Sequence, residues 1–173
     1  MPLSLHAATI PSYLQILSSV SRLVGKAEEW CAEKNLPPAE LILARLAPDM
    51  LPFAYQVKSA VVHSIGAVEG VRKGLFAPDR NPPLETFAGL KNQVDEAIVA
   101  LGAIEPPEME GFIGRDMRFE FGERRMDFTA EDFLLSFSQP NFYFHSATAY
   151  DILRWKGLPI GKRDYTGRVR IRT

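Results

Sequence analysis

A chain of 173 residues, 46% hydrophobic and 24% charged, has the composition of a globular protein and the length of a single domain spanning residues 1–173, which excludes a disordered chain. Twenty lysines and arginines against 21 aspartates and glutamates leave a formal charge of −1, so nothing in the bulk charge draws it to nucleic acid. The single cysteine, Cys31, excludes an internal disulfide and an all-cysteine zinc site within one chain.

From Leu5 to Lys34, Ile10, Tyr13, Leu14, Leu17, Val20, Leu23, Val24, Ala27 and Trp30 recur in steps of three and four. That spacing predicts an amphipathic helix, stopped by Asn35-Leu36-Pro37-Pro38. A short helical piece over Ala39–Leu46 bridges to a second long helix. Asp49 is its expected N-cap, with Pro52 in the first turn. The stripe Phe53, Val57, Val61, Ile65, Val68 and Val71 carries it to Lys73-Gly74. A proline-rich loop, Phe76–Pro83, precedes a third helix over Leu84–Leu101, closed by Gly102 and Pro106-Pro107.

Over Arg115–Phe128 the period changes to two, with Met117, Phe119 and Phe121 alternating with Arg118 and Glu120. A small β-hairpin turning at Gly122-Glu123 is expected there, covering one end of the helices. Thr129-Ala130-Glu131-Asp132 then reads as a capping box with Phe128 and Phe133 as a hydrophobic staple. The fourth helix runs to about Lys156, ended by Gly157 and Pro159 and kinked just before Asn141 by Pro140. The expected fold is all-α: a four-helix bundle with a small β-hairpin before the last helix.

No apolar stretch reaches the roughly 18 residues of a membrane-spanning helix. The opening Met1–His6 lacks the basic and apolar regions of a secretory signal, so a cytoplasmic protein is expected. The tail, Lys162–Thr173, is basic and polar; Lys162, Arg163 and Asp164 are expected to tie the chain end to the bundle, and Arg168, Arg170 and Arg172 to face solvent.

Of three histidines, His63 and His145 sit in the middle of the second and fourth helices. Ser59, Ala60, Gly66, Ala67 and Gly70 flank His63, and such small residues allow a close helix or a cavity beside the imidazole. The two rings form a candidate pair of metal ligands. The alternative is a pair of neutral core imidazoles hydrogen-bonded to Thr148, Tyr143 or Tyr150. Glu69 and Asp151 lie about 120° off the histidine faces, and His6 is roughly 20 Å from the middle of its helix, so none of them adds a donor. Cys31 reads as packing, because no histidine lies within four residues to activate it. Residues 157–165 lack phosphate-loop spacing, and Phe142-Tyr143-Phe144 reads as core.

The stretch Pro140-Asn141-Phe142-Tyr143-Phe144-His145, then Ala149-Tyr150-Asp151-Ile152-Leu153-Arg154, Gly157-Leu158-Pro159 and Gly161-Lys162-Arg163-Asp164-Tyr165, resembles a branch of the DinB-like (YfiT-like) metalloenzyme superfamily catalogued as a domain of unknown function. Leu23, Lys26-Ala27-Glu28 and His63 agree with it, and the resemblance covers nearly the whole chain. It implies a four-helix bundle, often dimeric, with one histidine on the second helix and an H-x-x-x-H pair on the fourth holding a divalent metal such as zinc or nickel. It also implies chemistry of the thiol-transfer kind. His63 and His145 match two of those ligand positions, whereas Ala149 stands where the third histidine would be.

Two functions are therefore expected to compete. One is a weak or incomplete metal site at His63 and His145, any activity being thiol-group transfer or a related metal-assisted step. The other is a non-catalytic bundle that binds a small apolar ligand or a partner protein. A homodimer formed through an apolar helix face accompanies either reading, with neither nucleic acid nor membrane as partner.

Overall fold

The computed structural model describes residues 3–172. Helix α1 spans Leu5–Lys34, opening where the Ser4 hydroxyl accepts from Ala7 N–H and closing on Asn35 in the left-handed region (φ 53°). Helix α2 is only Ala39–Ile42, shorter than its apolar pattern predicts. Helix α3 spans Phe53–Val62 and α4 Ile65–Lys73. Strand β1 (Leu75–Phe76) follows, then α5 (Phe87–Gly102) and α6 (Pro106–Glu110). Strands β2 (Asp116–Phe121) and β3 (Arg124–Thr129) lead to α7 (Ala130–Asp132), a π-helical segment (Phe133–Ser138), α8 (Gln139–Trp155) and α9 (Lys162–Thr166).

Helix α1 packs on α5 and α8, and α3 packs on the same two. Their shared interior holds Tyr13, Leu17, Phe53, Leu90, Leu101 and Phe142, each essentially without exposure. Each large apolar side chain so buried contributes about 1.5–3 kcal/mol. The protein is mostly helical, with a three-stranded sheet in the order β1-β2-β3. The hairpin forms as expected: Gly122 has φ 61°, and Gly122-Glu123 joins Phe121 to its partner Arg124. To the expected hairpin the structure adds β1, which pairs parallel to β2 through Leu75↔Arg118 and Phe76↔Phe119.

Four further expectations are corrected. The second long helix starts at Phe53 rather than at Asp49, with Pro52 as N-cap. It is also broken at His63-Ser64. Ser64 (φ −114°, ψ −91°) leaves helical geometry, and its hydroxyl donates to the carbonyls of Ala60 (2.8 Å) and Val61 (3.0 Å). The third helix begins after Thr86, whose hydroxyl accepts from Gly89 N–H at 3.1 Å, so residues 84–86 lie outside it. Finally, the irregularity near Pro140 is the π-helical segment before it. Pro140 has no N–H to give Ser136, and the wider turns absorb that lost bond.

At the start of the last helical run the cap and the staple form as the sequence predicts, while no return bond from the Asp132 carboxylate to Thr129 N–H completes the capping box among the described residues. Thr129 caps it through Asp132 N–H at 3.3 Å, and the rings of Phe128 and Phe133 lie 5.9 Å apart. In the tail, Asp164 holds Lys26 at 2.6 Å, while Lys162 and Arg163 make no such ion pair among the described residues. Arg168, Arg170 and Arg172 are exposed as expected, and Arg170 also reaches Gln15 and Ser12 on α1, each at 3.3 Å. Thr173 lies outside the described residues.

Candidate functional site

The break after Val62 places His63 at the end of α3, and α8 carries His145 alongside it. The two half-buried imidazoles are brought together: ring centroids are 5.8 Å apart and the planes differ by 14°. Aromatic rings wall the pair. Phe76 (5.6 Å) and Phe137 (5.9 Å) flank His63, while Phe144 (5.3 Å) and Tyr55 (6.2 Å) present edges to His145.

Hydrogen bonds fix both tautomers. Ser138 Oγ donates its one proton to the His63 carbonyl at 3.0 Å, a carbonyl freed by the helix break. At the His63 ring, 3.3 Å away, that oxygen can therefore only accept, so Nδ1 carries the hydrogen. His145 Nδ1–H donates to Gln56 Oε1 at 2.7 Å. Both Nε2 atoms are left as acceptors, and neither is bonded within the described residues. Among the described residues the fully buried side-chain atoms without a partner are Tyr13 Oη, Gln93 Oε1 and Ser146 Oγ, so neither Nε2 atom is fully buried.

Burial favours the neutral form of both rings. It holds His145 down at about 4 from the ordinary 6.5, and His63 likewise at about 4, with the neighbouring His145 ring adding to the effect of burial. Neutral imidazoles with one nitrogen tied and the other free are the form in which histidine binds metals. Rings sharing an ion at about 2.1 Å per nitrogen have centroids roughly 5–6 Å apart, which the observed 5.8 Å matches. An ion lies in the plane of each ring it binds, however, so these stacked, near-parallel rings must turn before both Nε2 atoms can reach one. The donor set nevertheless stops at two. No group of three His, Cys, Asp or Glu suited to a metal occurs among the described residues, and Ala149, 1% exposed, offers only a methyl. These residues fit two positions of a zinc or nickel ion and fall short of the three protein ligands of catalytic zinc.

The partners expected from sequence, Thr148, Tyr143 and Tyr150, are not the ones used. Thr148 donates to Phe144 O at 2.7 Å in its own helix. Gln56, two turns before His63 and 2% exposed, was findable as a polar residue inside an apolar run; Ser138 had no such signal. Phe142 is core, whereas Tyr143 (37%) and Phe144 (56%) are exposed, correcting the expectation that all three pack inside. His6 is held apart from the pair, its Nε2 on Ile104 O at 3.2 Å. Cys31 is buried, and burial followed by Glu40 pushes its thiol up, away from a nucleophile's range. No helix among the described residues is long and apolar enough to cross a membrane.

The family described as a domain of unknown function, DUF1993, matches residues 5–166. Among solved structures, the chain is similar to the crystal structure of a DinB family member protein from Shewanella denitrificans, with a TM-score of 0.80 and 23% identity over 98% of this chain and 95% of that one. At that identity the likeness is one of fold. No curated protein matches.

Proposed function

The chain belongs to the DUF1993 family and has a DinB-like fold, and from that premise we propose that its long helices form a four-helix bundle whose His63–His145 pair binds a divalent metal, zinc or nickel, weakly. The observation that carries this reading is the pair of Nδ1 hydrogen bonds, to Ser138 and Gln56, which leave both Nε2 lone pairs free. A divalent ion held there would lower the pKa of a thiol or water brought to it, the activation that thiol-group transfer requires. The chain's own residues supply the rest. Gln56 orients His145, Ser138 orients His63, and Phe76, Phe137 and Phe144 restrict water around the rings.

Calorimetric titration of tag-free protein with zinc or nickel tests the reading. One saturable site is expected, abolished in His63→Ala and weakened about 10–100-fold in Gln56→Leu. Absence of binding, together with unchanged melting of the native chain when metal is added, refutes it.

A second reading is favoured by the apolar Ala149 and the aromatic wall: a non-catalytic bundle that takes a small apolar ligand or a partner protein beside those rings. In that case His145→Gln keeps fold and binding, and metal-dependent turnover lost in that variant counts against it. Under either reading we place the protein in the cytoplasm as a homodimer. Light scattering that returns the monomer mass would exclude the dimer.

A further inference from the structure

The sheet ends at β3, which has no neighbouring strand on its far side among the described residues. Hydrogen-bond parity shows which backbone groups that edge presents. Arg118 N–H donates away from β3, to Gly74 O at 3.0 Å, while Ala130 N–H donates inward to Arg115 O at 2.8 Å. Arg118 stands opposite Asp127, so this pair is not bonded across the hairpin, and Asp127 turns its N–H and C=O outward. Alternation gives the same orientation to Arg125 and Thr129.

We propose that β3 is a self-association edge, two copies of this chain pairing β3 to β3, antiparallel, about a two-fold axis at Met126. The proposal rests on the homodimer reading and assigns its surface to the sheet edge instead of a helix face. In this register Arg125 and Asp127 of one copy exchange backbone hydrogen bonds with Asp127 and Arg125 of the other. Met126 meets its own copy as a non-bonded pair, where side chains approach most closely.

Charge selects the register. On the outer face, Arg118 pairs with Asp127 at 2.6 Å and Glu120 with Arg125 at 3.6 Å. Joining two copies at Met126 extends these pairs into rows across four strands: Glu120, Arg125, then the second copy's Asp127 and Arg118. Signs alternate without interruption, and the two-fold generates the same row in reverse. Centring on Arg125 or on Asp127 instead would set like charges face to face, and centring on Arg124 or Phe128 would part Arg125 from Asp127. On the inner face the pairing covers Met126, 39% exposed, and brings Arg124 opposite the second copy's Phe128. Charged edge strands commonly deter pairing; here the sequence of signs is self-complementary and favours one partner, a second copy.

Charge reversal tests the proposal in the full chain. Arg125→Asp sets two aspartates against each other at both crossings, and Asp127→Arg sets two arginines, so each variant should sediment as a monomer under conditions where the native chain is a dimer. An equimolar mixture of the two variants restores opposite charges at both crossings and should regain the dimer mass. Met126→Cys should form a disulfide-linked dimer on mild oxidation, since Cys31 is buried, and Val99→Cys, on exposed α5, should not. A monomeric native chain would overturn both the dimer and this surface. Variants that remain dimeric, or a mixture that stays monomeric, would overturn the β3 surface while the dimer stands.

Discussion

Acidification should weaken this protein above the pH at which its carboxylates protonate. Burial keeps His63 and His145 at about 4 in the folded chain against an ordinary 6.5, with the facing His145 ring a second cause for His63. Unfolding returns both to about 6.5. As pH falls from 6.5 toward 4, the unfolded chain takes up protons that the folded chain refuses. Stability is therefore full above that window and declines through it. At about 1.4 kcal/mol per pH unit, each ring accounts for about 3 kcal/mol, and the pair for about 5 kcal/mol once the partial exposure of both rings is allowed for. That is comparable to the whole stability of many domains, about 5–15 kcal/mol. The carboxylates held low by partners, such as Asp79, Asp95 and Asp164, act only below their unfolded value of about 4. Urea unfolding of the native chain and of His63→Gln/His145→Gln, compared from about pH 7 to about pH 4, isolates the imidazoles. The native chain should lose stability faster than the double variant. Parallel losses, or either imidazole titrating near 6.5 by NMR, would refute the reasoning.

Tyr13→Phe should raise stability by about 1 kcal/mol, because Tyr13 Oη is buried with no hydrogen-bond partner; a clear loss in urea unfolding would contradict this. Gly70→Ala would place a Cβ 3.0 Å from Phe76 and 3.3 Å from Met117 Cε, and should destabilise by about 1–3 kcal/mol despite its better helix propensity. Phe76 borders His63, so the same variant should shift the His63 ring resonances. Lys58, on α3, reaches Asp79 Oδ2 at 2.9 Å and the carbonyls of Asp79 and Asn81. Lys58→Met should release residues 77–83, seen as faster proteolytic cleavage there, at a cost of only about 1–2 kcal/mol because the half-exposed Asp79 rehydrates.

What the sequence discloses is local. Thr129 and the Phe128–Phe133 staple act within one turn, so the start of the last helical run is legible to the residue. The hairpin is equally so, since Gly122 sits between two alternating runs. The break at Ser64 is hidden, because Val61, Ile65 and Val68 keep helical spacing straight across it. Strand β1 is hidden for another reason: two residues become a strand only by pairing with β2, more than forty residues downstream. The histidines show the same division. In the sequence His63 and His145 stand out as a pair on helical stripes, but His63 in fact ends α3, and Ser138 meets it only through tertiary packing, from 75 residues away.

The wide turns at Phe133–Ser138 set the rotational phase of everything after them. An α-helix advances about 100° with each residue, and a π segment accommodates one residue without that advance. Delete one amino acid from this stretch and it can close into regular α-helix with α8 still in phase; add one more and α8 would re-emerge a quarter-turn or more around its axis, swinging His145 off Gln56 and Phe142 out of the interior. The meeting of the imidazoles is thus encoded in a residue count upstream of them, and an added residue there would undo it, a dependence that point substitutions at the rings themselves would never expose.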